Sequence, residues 1–246
     1  MSIRSQRDLA GMRAAGRVVA ATLRAMRAAV APGVTTRELD EIGAGVFAAH
    51  GARSAPQLVY GFPGVNCISV NDEAVHGIPS HRALAPGDLV TLDVTAELGG
   101  YMADAATTVA VGDPAPQAAA LVAAAERALA RAIRLVRPGL WLNEVGRAVQ
   151  DEVEAAGFHV LPALTGHGIG RTIHEPPTVH NTFEPDDPTV LTEGLVLTIE
   201  PIVAVGTEDV VLADDGWVVR TADGSLSSHA EHTLVVTRRG ALVLTA

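Results

Sequence analysis

Apolar and polar residues alternate along residues 89–95, and a second run of strand-forming residues covers 101–109. Alternation with a period of two predicts β-strands, in which neighbouring side chains point to opposite faces. The paired glycines Gly99 and Gly100 stand between the two runs, where a tight turn needs positive φ. The pattern therefore predicts a β-hairpin.

Each arm of this hairpin carries one aspartate, Asp93 in the first and Asp104 in the second. A turn at Leu98-Gly99 sets Asp104 opposite Asp93, whereas a turn at Gly99-Gly100 sets it opposite Thr95. Both registers place the two carboxylates on one face. Solvated surface charges would explain such a pair on an arbitrary hairpin. Asp93, however, interrupts a strongly apolar strand, where a charge needs a partner, and a cation is the usual partner of paired carboxylates.

Two helices are predicted ahead of the hairpin. From Gln6 to Val30 apolar residues recur at spacings of three, four and seven, which predicts an amphipathic helix that ends at Pro32-Gly33. A second helix is predicted from Thr35, with Glu38 completing a capping box, to a stop at Gly51.

The same helical pattern returns 106 residues later. The landmarks of the first helix pair are repeated at this constant offset by Pro138-Gly139, Glu144 and Gly157. Each half, roughly 1–112 and 113–246, is then a helix pair followed by strands. We therefore predict an α/β (α+β) fold with antiparallel strands, in which the two halves are related by a pseudo-twofold axis within a single domain.

Composition limits the chemistry, the partners and the compartment. The chain has 246 residues, of which 48% are hydrophobic, and its formal net charge of -10 argues against general affinity for nucleic acid or anionic membranes. All 18 basic residues are arginine, which excludes mechanisms that need a lysine amine. The N-terminus is polar, no apolar run reaches spanning length, and Cys67 has no partner for an internal disulfide. We expect a cytoplasmic protein.

Two further carboxylates and three histidines complete the candidate chemistry. Glu200 and Glu231 each lie in an apolar β pattern, His167 lies in a glycine-rich turn, His174 follows it, and His76 lies in a loop. Singly, each has an ordinary explanation as an edge-strand carboxylate or a turn histidine. Together with the hairpin aspartates they give four carboxylates within mainly apolar strands, which exceeds what core packing explains and predicts a metal site.

These residues, in this order, resemble the metal-binding series of a type I methionine aminopeptidase. The resemblance rests on Asp93 with the eleven-residue step to Asp104, Gly166–Gly170 with His174, Thr198–Pro201, and Glu231–Thr233. It covers essentially the whole chain, including residues 67–71 and 76–79. It implies the pita-bread fold, the duplicated α/β architecture that the internal repeat indicates independently.

The resemblance also implies a metal ligand set. Asp93 would bind the second of two divalent ions, Asp104 and Glu231 would bridge both ions, and His167 and Glu200 would bind the first. One imidazole and four carboxylates form an oxygen-rich set that suits Mn, Fe(II) or Co and tolerates Zn. The identity of the metal stays open.

Catalytic and substrate-binding roles are implied in the same way. Glu200 would act as proton shuttle, while His76 and His174 would assist the substrate amide and the tetrahedral intermediate. The implied substrate-binding residues are His76, His174, Phe62, Cys67, Ile173 and Trp217. Ile173 and Leu164 stand where the family commonly has bulkier aromatic residues or methionine, in positions expected to line or support a methionine pocket.

The implied activity is metal-dependent removal of the initiator methionine from nascent proteins and peptides when the next residue is small. The expected partner is the N-terminal peptide of a nascent protein, close to the ribosome. We expect a monomer with no specific nucleic acid and no membrane partner. Two alternatives stay open: an Xaa-Pro-type aminopeptidase, which shares the five ligands, and a non-catalytic pita-bread binding protein.

Overall fold

The computed structural model describes residues 1–246, which form five helices and fifteen strands. The helices are α1 Gln6–Ala29, α2 Thr36–His50, α3 Ala55–Tyr60, α4 Pro116–Leu135 and α5 Asn143–Ala155. The strands are β1 Arg53–Ser54, β2 Cys67–Val70, β3 Glu73–Val75, β4 Leu89–Leu98, β5 Tyr101–Ala110, β6 His159–Val160, β7 Gly166–Gly168, β8 Glu175–Val179, β9 Val196–Ile199, β10 Ile202–Ala204, β11 Val210–Leu212, β12 Val219–Thr221, β13 Ser227–His229, β14 His232–Thr237 and β15 Gly240–Val243. None of the helices combines the length and the apolarity that crossing a membrane requires.

The first helix pair begins and ends where the sequence predicts. Thr35 caps α2 through a capping box with Glu38, and Gly51 ends it in the left-handed conformation at φ 65°. The equivalent helix α5 has Leu142 as its N-cap and Trp141 at the position that corresponds to Thr35, and neither side chain has an oxygen that could cap the helix.

The predicted hairpin is β4 and β5, and its register is now fixed. Leu98 pairs with Tyr101, so the turn is Gly99-Gly100 and Asp104 lies opposite Thr95. Asp93 stands two residues before Thr95 on the same face, diagonally across from Asp104. Of the two registers that the sequence left open, the structure adopts the second.

Backbone hydrogen bonds repeat between the two halves. The N–H of Gly33 donates to the carbonyl of Leu84 over 2.7 Å, and the N–H of Gly139 donates to the carbonyl of Leu191 over 2.9 Å. These pairs are offset by 106 residues at the donor and 107 at the acceptor. The predicted internal repeat is therefore present as equivalent packing of equivalent loops.

The molecule has two main hydrophobic cores, each built mostly from one half. In the first half α1 and α2 cover the sheet that contains β4, and Met12, Val19 and Met26 on the predicted apolar stripe of α1 are fully buried. In the second half α4 and α5 cover the sheet of β15, β14, β9, β7 and β8. Helices on one side of antiparallel sheets leave the opposite sheet faces free to meet each other.

The two halves are joined across β5 by two threonine hydroxyls. The Oγ1 of Thr233 accepts the N–H of Asp104 over 2.9 Å and donates to its carbonyl over 2.7 Å. The Oγ1 of Thr108 makes the same pair of bonds to His229, at 2.8 and 3.0 Å. The backbones that carry the candidate ligands are thus fixed at the junction of the halves.

Candidate metal centre

A cavity of about 400 Å³ lies at the junction, and it is lined by all eleven residues for which the sequence implies a metal-binding, catalytic or substrate-binding role. They are Phe62, Cys67, His76, Asp93, Asp104, His167, Ile173, His174, Glu200, Trp217 and Glu231. Leu164 does not line this cavity but an adjoining groove, which shares His76, His167, His174 and Glu200 with it.

Strand geometry brings the four carboxylates together. Asp93 and Asp104 project from the facing arms of the hairpin, while Glu200 follows β9 and Glu231 precedes β14. The pairing of β9 with β14 ends at Ile199 and His232, next to Glu200, and Pro201 has no N–H to donate. The N–H of Glu231 donates instead to the carbonyl of Ala106 on β5, over 2.9 Å, which ties this carboxylate to the first half.

The donor atoms are spaced as they would be around a shared ion. His167 Nε2 lies 3.5 Å from Glu200 Oε1, and donors of Asp104, His167 and Glu231 lie within 4.8 Å of one another. Ligands bind Zn²⁺ at about 2.0 to 2.2 Å, so two donors on one ion lie no more than about 4.4 Å apart. The separation of His167 from Glu200 lies inside this limit, and the donors of Asp104, His167 and Glu231 are grouped on a similar scale, as in a metal-binding site.

Burial shapes the electrostatics of the carboxylates. Desolvation raises the pKa of Asp93, Glu200 and Glu231 well above their ordinary values and raises the pKa of Asp104 to about 6. Buried Oδ1 of Asp104 and Oε1 of Glu231 have no hydrogen-bond partner. Buried polar atoms are rarely left unpaired, and a cation would both neutralise the charges and occupy these oxygens. The residues present fit a divalent ion.

His167 is prepared to act as a ligand. Its Nδ1 lies 3.0 Å from the carbonyl of Gly168, which can only accept, so Nδ1 carries the proton and the lone pair of Nε2 faces Glu200. Burial, with a smaller contribution from His174, lowers the pKa of His167 to about 4. The imidazole is therefore neutral at neutral pH.

The rim of the cavity carries His76 and His174, both exposed. His174 packs edge-on against His167 with ring centroids 4.2 Å apart, and its Nδ1 lies 2.6 Å from the hydroxyl of Tyr60. His76 adopts a positive φ of 60°, uncommon for a residue other than glycine. Both imidazoles can reach a substrate that extends from the cavity.

An apolar wall completes the cavity. Phe62 packs edge-to-face against Trp217 with ring centroids 5.3 Å apart, and Ile173 is 4% exposed. Cys67 lies opposite Asp93 in the pairing of β2 with β4, and burial raises its thiol pKa well above the ordinary value. Cys67 is thus a small apolar wall residue and not a nucleophile.

Three polar residues to which the sequence assigned no role at the site lie two positions from a candidate ligand. They are Thr95, Thr198 and His229, next to Asp93, Glu200 and Glu231 respectively. Residues i and i+2 of a strand share a face, so the period of two would have identified them. Tyr60 has no such signal, since its contact with His174 spans 114 residues.

Comparison with known proteins decides the family. Residues 10–238 match metallopeptidase family M24. The chain is 40% identical to methionine aminopeptidase 2 of Bacillus subtilis over 247 aligned positions, which cover 100% of this chain and 99% of that protein. The chain belongs to the methionine aminopeptidases of family M24. Membership confirms the predicted pita-bread fold, a hydrolase, and the use of divalent metal.

Solved structures agree with this M24 assignment. The methionine aminopeptidase of Rickettsia prowazekii superposes with a TM-score of 0.95 at 38% identity, covering 100% of both chains. A prolidase from Pyrococcus furiosus gives a TM-score of 0.78 at 24% identity, covering 99% of this chain and 65% of that one. The prolidase shares the fold, whereas the methionine aminopeptidases match in sequence and length, so the Xaa-Pro alternative is not favoured.

Proposed function

We propose that this M24 enzyme removes the N-terminal methionine from peptides and nascent proteins when the second residue is small. The observation that carries the proposal is the buried set of carboxylates and an imidazole on the wall of one cavity, with two histidines at its rim. Its full-length identity to methionine aminopeptidases supports the same substrate class.

The proposed metal centre holds two divalent ions. His167 and Glu200 would hold the first ion, Asp93 would hold the second, and Asp104 and Glu231 would contribute to both. When bound, such ions polarise the scissile carbonyl and lower the pKa of an attacking water. The close spacing of donors from Asp104, His167, Glu200 and Glu231 supports metal binding at this site, and the mixed donor set suits Mn, Fe(II), Co or Zn.

The proton-transfer role belongs to Glu200. The hydroxyl of Thr198 donates to its Oε1 and orients the carboxylate, which accepts the proton of the attacking water and passes it to the leaving amine. His174 and His76, at the rim, donate hydrogen bonds to the substrate amide and to the oxygen that becomes negatively charged. The hydroxyl of Tyr60 orients His174.

The apolar wall is the proposed methionine pocket. Phe62, Trp217, Cys67 and Ile173 offer a flexible thioether side chain an apolar surface with aromatic edges. The rest of the bound peptide extends from the cavity into the adjoining groove, past His76 and His174.

We further propose that residues 1–246 form one catalytic domain that works as a monomer. Asp93 and Asp104 come from the first half and His167, Glu200 and Glu231 from the second, so neither half holds the site alone. One chain supplies every proposed catalytic residue. The single cysteine supports a reducing, cytoplasmic location, where nascent chains leave the ribosome.

The proposal is tested by steady-state hydrolysis of Met-Ala-Ser and Ala-Pro-Ala peptides. Chelation is expected to abolish cleavage of Met-Ala-Ser, and Mn²⁺, Fe²⁺ or Co²⁺ is expected to restore it. Full activity in a sample shown to be metal-free would contradict the metal mechanism. Preference for Ala-Pro-Ala would favour a proline-directed peptidase, and metal binding without cleavage of either peptide would favour a binding protein.

A further inference from the structure

His229 lies at the metal centre with no hydrogen-bond partner for either ring nitrogen. Its side chain is 2% exposed, and both Nδ1 and Nε2 are buried. Its own backbone is fully bonded to Thr108. A buried imidazole with two unpaired nitrogens is uncommon in native proteins and calls for a partner that the polypeptide itself does not supply.

Reciprocal threonine hydrogen bonds across the junction make His229 the counterpart of Asp104. The hydroxyl of Thr233 holds the backbone of Asp104, and the hydroxyl of Thr108 holds the backbone of His229 in the same way. Asp104 and His229 are 125 residues apart, and so are Thr108 and Thr233. The fold therefore presents His229 to the centre with the same device that presents Asp104, a candidate bridging ligand.

The distances around Nε2 are those of a shared ion. Nε2 of His229 lies 3.8 Å from Glu200 Oε2 and 3.7 Å from Glu231 Oε2. Both separations are too long for hydrogen bonds. They fall inside the limit of about 4.4 Å for two donors bound at 2.0 to 2.2 Å to one ion, as does the separation of His167 from Glu200.

We propose that His229 is a sixth protein ligand, which supplies a second imidazole to the ion held by Glu200 and Glu231. This inference rests on the proposed metal-dependent function. Two imidazoles make the site softer than one imidazole with four carboxylates, so the centre favours Zn²⁺, Co²⁺ and Fe²⁺ over Mn²⁺ more strongly than a site with His167 alone.

The first test counts bound imidazoles without measuring activity. Full-length protein is freed of metal by chelation and loaded with one equivalent of Cu²⁺, and pulsed EPR detects the remote ring nitrogen of each bound imidazole. Two imidazoles are expected in the wild type and one in His229→Gln and in His167→Gln. His232→Gln is the matched control: Nδ1 of His232 lies 2.9 Å from the Thr245 hydroxyl, and this variant is expected to keep two.

The outcomes separate this inference from the proposed function. No binding of Cu²⁺, Zn²⁺ or Mn²⁺ by the wild type would overturn both. A single imidazole in the wild type that disappears in His167→Gln, or two imidazoles that persist in His229→Gln, would overturn the ligand role of His229 alone. The wild-type and His167→Gln spectra decide the question even if His229→Gln fails to fold.

The second test is metal preference, measured by competition with a chromophoric chelator. His229→Gln is expected to weaken Zn²⁺ binding by about ten-fold or more and Mn²⁺ binding by less, because Mn²⁺ relies on the carboxylates. Equal weakening of both ions would show that His229 only orients the carboxylates and would overturn the proposal.

Discussion

The hydroxyl of Thr198 donates a hydrogen bond to Glu200 Oε1 over 2.7 Å and accepts the backbone N–H of His167 over 3.0 Å. Thr198 lies on β9, and its side chain thereby links two proposed ligands that come from neighbouring strands. Groups that hydrogen-bond to metal ligands fix the orientation in which those ligands meet the ion.

We predict that Thr198→Val loses metal affinity although the shape of the residue is retained. The substitution removes the hydrogen bond that orients the carboxylate of Glu200 and leaves the backbone N–H of His167 without its acceptor. Divalent metal affinity is therefore expected to fall by about 10- to 100-fold. Chelator competition measures the change. Thr198→Ser keeps the hydroxyl and is expected to bind metal as the wild type does; equal affinity in the valine variant would remove the orienting role.

A second prediction concerns Glu200 as proton shuttle. Glu200→Gln keeps the size and one donor oxygen but removes the base, so turnover is expected to fall by roughly 10² to 10⁴, or about 3 to 5 kcal/mol of barrier. Steady-state kinetics on Met-Ala-Ser with saturating metal measures this. Retention of near wild-type turnover would assign the proton transfer to another group.

His76→Ala tests a proposed catalytic residue that, unlike Glu200, is not a proposed metal ligand. His76 stands at the rim, outside the donor cluster, so this variant is expected to lower turnover while its metal content stays unchanged. Metal content is measured by elemental analysis of the purified protein. Loss of metal in His76→Ala would show that His76 is a ligand and that its catalytic role is wrong.

Metal binding is predicted to tighten as pH rises through about 6. Burial raises the pKa of Asp93, Glu200 and Glu231, and raises that of Asp104 to about 6. These groups hold protons in the metal-free protein that must leave before a cation binds. His167, with its pKa lowered to about 4, is already neutral and adds nothing to this dependence.

Calorimetric titration with Zn²⁺ at about pH 5.5 and 7.5, in two buffers of different ionisation enthalpy, measures this linkage. We expect about ten-fold or more tighter binding at the higher pH, with proton release to the buffer on binding. An affinity independent of pH, with no proton release, would mean that the carboxylates are already ionised in the metal-free protein.

The hairpin, the helix pairs and the internal repeat could be predicted because each leaves a local signal. The alternation around Asp93, the capping box at Thr35 and the constant offset of 106 residues are all patterns within short windows. The hairpin register could not be chosen, because either glycine position can form the turn and both keep Asp104 on the same face.

Other parts of the site depend on contacts that no local pattern records. Tyr60 meets His174 only through the packing of α3 against the loop before β8. The absence of a hydrogen-bond partner for either ring nitrogen of His229 likewise depends on which side chains pack around it in the folded protein. Its position two residues before Glu231 predicts the face that it shares, but not that both ring nitrogens lie unpaired beside the centre.

The last prediction concerns the residue that follows methionine. When the methionine side chain occupies the cavity, the peptide extends past Glu200 into the adjoining groove. His76, His167 and His174 line both the cavity and the groove at this point. The rings of His167 and His174 pack edge-on with centroids 4.2 Å apart and form a continuous wall beside the second side chain. Small second residues are therefore expected to be cleaved fastest.

The comparison is kcat/KM for peptides that begin Met-Ser, Met-Leu and Met-Lys, with a Leu-Ser peptide as control for the methionine pocket. Met-Ser is expected to exceed Met-Leu by at least about 10- to 200-fold, the discrimination that a single methylene group produces in a hydrophobic pocket. Leu-Ser is expected to be slow even though its second residue is small. Comparable rates for Met-Ser, Met-Leu and Met-Lys would remove the specificity and leave a metal-dependent aminopeptidase that selects only the first residue.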